Sequence, residues 1–314
     1  MNGIVDDLRQ RARKASKKIV FPEFDEERVQ KAINYIKEER IAEPILLTPD
    51  SIDSKLQEEF TEYFFERKKA KGITIEEAKE TIKNPLYYAA MMARFGHADG
   101  FVAGARFTTS SVLRAAINCL EIDRKGGTIS SCFVIAVPDC PYGEAGVFVY
   151  ADCAAIPNPT STQLANIAIS SADFAQNILE IKPRVAMLSF STKGSAKNRW
   201  VEKVKDAVEI AKSKDSNILI DGELQADSAL VPEVAARKLS ESDVAGRANV
   251  LIFPNLDAGN ICYKLTQRLA KARAIGPIIL GTLQPCSDLS RGCDVDDIID
   301  CAAVTAIRAQ KRVV

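Results

Sequence analysis

The chain of 314 residues carries one histidine and no net charge, since Lys+Arg and Asp+Glu both total 42. A single histidine excludes a multi-histidine zinc site and leaves any Ser-His or Cys-His nucleophile pair only that ring to use. It stands in Arg94-Phe-Gly-His-Ala-Asp-Gly100, at the end of an expected helix, where a loop or C-cap role suits His97. The balanced charge removes the broad basic field that nucleic acid or an anionic membrane calls for, while local sites for a small anion remain open. No stretch approaches the roughly 18 uncharged apolar residues of a spanning helix. The opening MNGIVDDLRQRARKASKK holds Asp6 and Asp7 and no apolar centre, so it does not read as a signal peptide. There is no CxxC pair: the eight cysteines fall at 119, 132, 140, 153, 262, 286, 293 and 301, several inside apolar runs. Reduced thiols in a cytoplasmic protein account for that pattern better than a disulfide framework does. The P-loop and the G-x-G-x-x-G fingerprint are also missing, and Gly100-x-x-x-Gly104 is too wide to replace them. The common kinds of NAD or ATP enzyme are thereby disfavoured.

What is present is ordinary globular material, 46% apolar and 27% charged. At about 150 residues per domain the length suggests two domains. Short β-rich runs alternate with amphipathic stretches. Strands are expected at 18–21, 44–47, 98–104, 132–137, 146–151, 185–189, 217–220, 250–253 and 277–280, with 132–137 and 146–151 as an antiparallel pair. Helices are expected at 26–36, in the charged region up to about 95, and at 109–120, 160–175, 196–213, 228–239, 258–273 and 294–311. Thr74 and Glu77 fit a capping box. The β-α-β-α order predicts an α/β protein, with helices layered on mostly parallel sheets. No linker or repeat stands out, so the boundary is placed in the tight stretch Lys125-Gly126-Gly127. Residues 1–126 with 287–314 then form a first, discontinuous domain, and 127–286 a second.

Three polar turns sit between expected strands and helices, where ligands bind in open α/β sheets. The last, Ser290-Arg291-Gly292, precedes a helix whose N–H groups and dipole favour an anion. Arg291 offers a planar fork for two phosphate or carboxylate oxygens, and Gly292 lets the backbone approach a ligand. The same residues also support a plain structural account: Asp294 as N-cap with Asp297 at the third helical position, and Ser290-Arg291 as a solvated turn. In Gly104-Ala-Arg-Phe-Thr-Thr-Ser-Ser111, the hydroxyls that include Thr108 and Thr109 suit either helix capping or phosphate binding, with Arg114 one turn further on. Ser189-Phe-Ser-Thr-Lys-Gly-Ser195 is the third. The acidic pair of Asp221-Gly-Glu-Leu-Gln225 reads as a turn stabiliser or a subunit contact.

Together, Pro254-Asn-Leu-Asp-Ala-Gly-Asn-Ile-Cys-Tyr-Lys-Leu265, Asp288-Leu-Ser-Arg-Gly-Cys293, Ser189-Phe-Ser-Thr-Lys-Gly-Ser-Ala196, Asp221-Gly-Glu-Leu-Gln225 and Ala151-Asp-Cys-Ala154 closely resemble the phosphate acetyl/butyryltransferase family, phosphate acetyltransferases above all. The resemblance runs from about residue 17 to the C-terminus, with the five segments in the family's order. It implies two three-layer α/β/α domains around an interdomain cleft, arranged as a homodimer, and a place in acetate metabolism. The implied reaction is reversible acetyl transfer between acetyl-CoA and phosphate, giving acetyl phosphate and CoA. Coenzyme A is then a substrate, with no permanently bound cofactor and no metal. The family's catalytic Ser, Arg and Asp fall on Ser290, Arg291 and Asp297, its reactive cysteine on Cys293 and an active-site arginine on Arg114. Counting back from Gly72 puts Lys68 where the family has a second arginine, with Arg67 one residue away. Phe107-Thr108-Thr109 replaces a frequent His-Ser-Thr run, keeping the hydroxyls and losing a polar ring.

On that basis the thiol of CoA, of pKa about 8.5, needs a base, and Asp297 is the candidate for proton transfer concerted with attack. Arg291 would hold the phosphoryl group and Ser290 would donate to the carbonyl oxygen or the sulfur. Three rivals remain: a phosphate butyryltransferase, a metal- and NAD-dependent decarboxylating dehydrogenase, and a non-catalytic CoA-binding protein.

Overall fold

Helix and strand alternate through the computed structural model, which describes residues 3–123, 127–239 and 242–311. Lys125 and Gly126 of the expected boundary lie outside those residues. In chain order come α1 (Gly3–Ala12), β1 (Lys18–Phe21), α2 (Glu27–Glu38), β2 (Glu43–Leu46), α3 (Ser54–Lys68), α4 (Ile75–Ile82), α5 (Pro85–Phe95), β3 (Gly100–Ala103) and α6 (Thr109–Cys119). Then follow β4 (Ser130–Ala136), β5 (Val147–Ala151), α7 (Ser161–Asn177), β6 (Val185–Leu188), α8 (Arg199–Lys214), β7 (Ile220–Leu224), α9 (Ala226–Leu230), α10 (Pro232–Lys238), β8 (Val250–Ile252), α11 (Leu256–Leu269) and β9 (Arg273–Leu280). The chain closes with β10 (Cys286–Asp288) and α12 (Val295–Lys311). Two compact units result, one of Met1–Ile4 with Asp123–Gly281, the other of Val5–Ile122 with Thr282–Val314.

The unit of Val5–Ile122 with Thr282–Val314 is built on the strand order β2-β1-β3-β10, every pair parallel. All four residues of β3 are buried, as expected for a strand covered on both faces. Helix α12 packs with α2, and α5 with α6, over these strands. The near-continuous burial of α12 from Ile298 to Ile307 shows how much of this core one helix fills. Two local expectations hold here. Thr74 and Glu77 form the capping box of α4, and α5 ends at Gly96 with φ +78°. His97 follows in the loop, its N–H donating to the Met92 carbonyl and its ring 5.9 Å from that of Phe60. Parallel pairing brings the carboxyl ends of β1, β3 and β10 to one edge, where they lead into α2, α6 and α12.

The other unit follows the order β9-β4-β5-β8-β6-β7, with β4 antiparallel to β9 and β5 and the remaining pairs parallel. The expected pair 132–137 and 146–151 is β4 and β5. Phe133, Tyr150, Leu188, Leu224 and Tyr263 share its core, with the Phe133 and Tyr263 rings stacked at 4.1 Å.

The structure corrects several sequence readings. Asp221-Gly-Glu-Leu224 is not a turn: it lies in β7, which begins at Ile220, where the expected strand ended. Its acids mimic turn residues in sequence, yet each is paired. Glu223 accepts from the Ser191 hydroxyl and the Gly194 N–H, and Asp221 from Lys193 and Ser242. The helix at 228–239 is two short helices, α9 and α10, separated by Val231 ahead of Pro232. Helix α1 and the three-residue strand β10 were not expected. Cys-Ser-Asp has no strand signature of its own, and β10 exists through its pairing with β3.

Candidate active site

Three connectors share the carboxyl-end edge of the unit built on β2-β1-β3-β10: 22–26 after β1, 104–108 after β3 and 289–294 after β10. The last two touch backbone to backbone. Gly104 has φ +116°, and a Cβ there would stand 2.6 Å from the Leu289 nitrogen and 2.3 Å from Oδ1 of Asp288. Glycine is therefore required at Gly104 by both conformation and space.

The 289–294 connector is a tight bend. The Cys293 N–H donates to the Ser290 carbonyl at 2.8 Å, and the Gly292 N–H to the Ser290 hydroxyl oxygen at 3.2 Å. Asp294 and Asp297 then cap α12 reciprocally. The Asp297 N–H donates to Oδ1 of Asp294 at 2.8 Å, and the Asp294 N–H to Oδ2 of Asp297 at 3.0 Å. The structural account of this pair is thus realised, and it fixes one oxygen of Asp297 at the start of α12. Ser290 and Arg291 are exposed. Gly292 has no conformational or packing reason to be glycine: a Cβ would meet only Ser290 Oγ, at 3.8 Å. Cys293 is buried, and burial pushes its thiol up to about 12, the nearby Arg28 charge working in the opposite sense.

Helix α6 supplies the neighbouring groups. Thr108 is its N-cap, accepting the Ser111 N–H at 3.2 Å and lying 2.9 Å from the hydroxyls of Ser110 and Ser111. Thr109 begins the helix beside Asp288. Arg114 lies one turn further on and is exposed. Asn118 follows at i+4 on the same face, and its Oδ1 accepts from Lys68 at 2.7 Å. Burial lowers the Lys68 pKa, as do the charges of Lys71 and Arg67. Arg67, beside it, is spent on the carbonyls of Cys119 and Leu120 at the end of the same helix. Among the described residues neither Arg114 nor Arg291 has an ion-pair partner.

Of the expected residues, Ser290, Arg291, Gly292 and Cys293 thus share one bend, and Asp297 follows in the first turn of α12. Thr108 and Thr109 open the adjacent helix, Arg114 stands one turn inside it, and Lys68 meets its far end. Four residues escaped the sequence reading. Glu23 and Glu26 sit on the β1–α2 connector and Arg28 in the first turn of α2, and Glu23 and Arg28 hold the other two connectors. Asp288 lies beneath the bend, fully buried, and neither of its oxygens makes a hydrogen bond of normal geometry. Burial raises its carboxyl to about 7, partly offset by the Thr109 side chain and the Leu289 N–H. The available signals were a glutamate directly after a strand-ending proline and the aspartate opening Asp288-Leu-Ser-Arg.

Two guanidiniums without ion-pair partners lie with hydroxyls and the Asp297 carboxylate near the carboxyl ends of parallel strands, a chemistry that suits an anionic ligand of an α/β fold. The comparisons make the class specific. Residues 3–306 match the family model described as Phosphate acetyl/butaryl transferase. A phosphate acetyltransferase of Acetivibrio thermocellus is 47% identical, covering 98% of both chains, and one of Thermoanaerobacterium thermosaccharolyticum is 48% identical over 98% of this chain and 99% of that one. The crystal structure of a phosphotransacetylase from Streptococcus pyogenes superposes with a TM-score of 0.91 at 37% identity, covering 99% of each chain. The chain belongs to the phosphate acetyl/butyryl transferase family and is an acyltransferase.

Proposed function

We propose that the protein transfers an acetyl group reversibly between acetyl-CoA and inorganic phosphate, forming acetyl phosphate and CoA by direct thiol attack in a ternary complex. The observation that carries this reading is the Ser290–Asp297 bend, with an unpaired Arg291 and a Gly292 that the protein's own packing does not require. The relatives named above, both phosphate acetyltransferases, favour acetyl over a longer acyl chain.

In the direction that makes acetyl-CoA, the sulfur of CoA bonds to the acetyl carbon and the bond from that carbon to the phosphate oxygen breaks. Asp297 takes the thiol proton as sulfur attacks, because an ordinary carboxylate is too weak a base to form the free thiolate first. Arg291 holds the phosphoryl group by two of its N–H donors and offsets charge building on the carbonyl oxygen. Ser290 donates to that oxygen or to the sulfur. Phosphate leaves as an anion, so no separate general acid is needed. Cys293 remains a neutral, buried thiol and bounds the site without forming an acyl-enzyme. Thr108, Thr109, Arg114 and Lys68 bind substrate from α6 and its far end, Lys68 as a point charge where the family has a fork.

We also infer a homodimer. Helix α11 leaves Ile261, Leu265 and Leu269 exposed at i, i+4 and i+8, by 57%, 53% and 80%, an apolar stripe suited to a second copy. A cytoplasmic setting is consistent with eight free cysteines. Among the described residues no helix is long and apolar enough to cross a membrane.

Mixing CoA with acetyl, propionyl and butyryl phosphate while following thioester absorbance tests the reading. Fastest turnover of acetyl phosphate supports it. A preference for butyryl phosphate moves the assignment to the longer acyl chain, and no thioester with any of them leaves a binding protein.

A further inference from the structure

The two connectors that carry the site are held by a third, which carries none of the expected groups. Glu23, buried just after β1, accepts four successive backbone N–H groups of the β3–α6 connector. Its Oε2 takes those of Gly104 and Ala105 at 3.0 and 3.1 Å, and its Oε1 those of Arg106 and Phe107 at 2.7 and 2.9 Å. Arg28, in the first turn of α2, complements this by donating to carbonyls. Its Nη1 donates to the carbonyls of Arg291 and Cys293 at 2.9 and 2.7 Å, and its Nη2 to that of Ala105 at 3.1 Å. The remaining donors meet Glu26: Nε reaches Oε1 at 2.8 Å and Nη2 reaches Oε2 at 2.9 Å. Glu26 is also the N-cap of α2, accepting the Arg28 N–H, so the pair is anchored to a helix end.

All five N–H donors of the guanidinium are thereby occupied, and none is left for a substrate. What Arg28 controls is the position of the bend: it fixes the carbonyls on either side of Gly292 against the carbonyl of Ala105. We infer that Arg28, held by Glu26, is a positioning residue for acyl transfer, setting where Arg291 and Ser290 are presented relative to the α6 end of the site. The role rests on the acyl-transfer reading above. A planar fork is needed for it, because a lysine ammonium cannot reach three carbonyls and a carboxylate in one plane. Glu26 stays ionised throughout the working range, since the Arg28 side chain holds its carboxyl down at about 2.

A clamp that served stability alone would change the melting temperature and leave the kinetics intact, so the test reads kinetics. Wild type, Arg28→Gln, Arg28→Lys and Glu26→Gln are assayed for phosphate-dependent cleavage of acetyl-CoA, with phosphate and acetyl-CoA varied separately. Misplacement of a catalytic group by about 1 Å costs on the order of 10²-fold in rate, and that loss in kcat is expected for Arg28→Gln. The KM for phosphate rises with it while that for acetyl-CoA stays near wild type. Arg28→Lys does not rescue, and Glu26→Gln, which keeps an acceptor for the cap, falls between. Because Arg28 acts through Arg291, adding Arg28→Gln to Arg291→Ala costs little further rate. Wild-type kinetics in the single variants, or full additivity in the double variant, overturn the role. If Arg28→Gln fails to fold, Glu26→Gln carries the same comparison. An inactive wild type overturns the acyl-transfer reading and this role with it, whereas an active wild type with unaffected variants overturns this role alone.

Discussion

Asp297 and Asp294 cap one another across the start of α12, each carboxylate accepting the other's backbone N–H. The residue proposed as base is therefore also a helix cap, and its substitutions separate the two duties. Asp297→Asn keeps an amide oxygen for the Asp294 N–H, so the melting temperature should hold while the maximal rate falls by about 10²–10⁴-fold. Asp297→Ala loses both, adding a stability cost of about 0.5–2 kcal/mol. Full activity in a folded Asp297→Asn protein reduces Asp297 to a cap.

Gly292→Ala separates packing from ligand approach in the same way. A Cβ there meets nothing in the protein closer than 3.8 Å, so the variant should be as stable as wild type, or more so by up to about 1 kcal/mol. Catalytic efficiency should nonetheless fall, because the methyl group occupies the side left open for substrate. Thermal unfolding beside steady-state kinetics checks both halves, and unchanged kinetics would show that nothing approaches Gly292.

Cys293 should be dispensable. With its thiol pushed up to about 12 it is neither nucleophile nor base at neutral pH, so Cys293→Ala should stay largely active. Alkylation of wild type should be slow, quicken as pH rises, abolish activity by bulk and be retarded by acetyl-CoA. A folded but inactive Cys293→Ala protein would reopen a covalent route.

Asp288 makes stability depend on pH. Its folded carboxyl titrates near 7 against an ordinary value of 3.8, so between those limits the folded chain holds a proton that the unfolded chain has released. Stability conferred by that proton is present below about 4, declines as pH rises through 7 and is gone above it, a change of up to about 4 kcal/mol. Asp288→Asn cannot ionise and should flatten this part of the profile. Unfolding midpoints from pH 5 to pH 8.5 measure it; parallel profiles for the two proteins would contradict the burial argument.

The legible parts of the molecule were those with local causes. Periodicity and caps placed α2, α4, α6 and α12, and the motif Ser290-Arg291-Gly292 with Asp297 marks the bend in the sequence itself. What stayed hidden depends on distant partners. Strand β10 is three polar-to-small residues that pair because β3 lies beside them. Asp221 and Glu223 looked like turn residues because nothing in sequence announces Lys193 or Ser191 as their partners. Arg28 resembled any solvated charge at a helix start, and its carbonyl partners lie 77 to 265 residues away.

The claim on which the account turns is that Arg291 takes the phosphoryl group. Steady-state kinetics of Arg291→Ala and Arg291→Lys, with phosphate varied at saturating acetyl-CoA, test it most directly. Both should raise the KM for phosphate and lower kcat, with Arg291→Lys recovering only part of the loss because it lacks the fork. Normal kinetics in either variant, with only the melting temperature reduced, would contradict it.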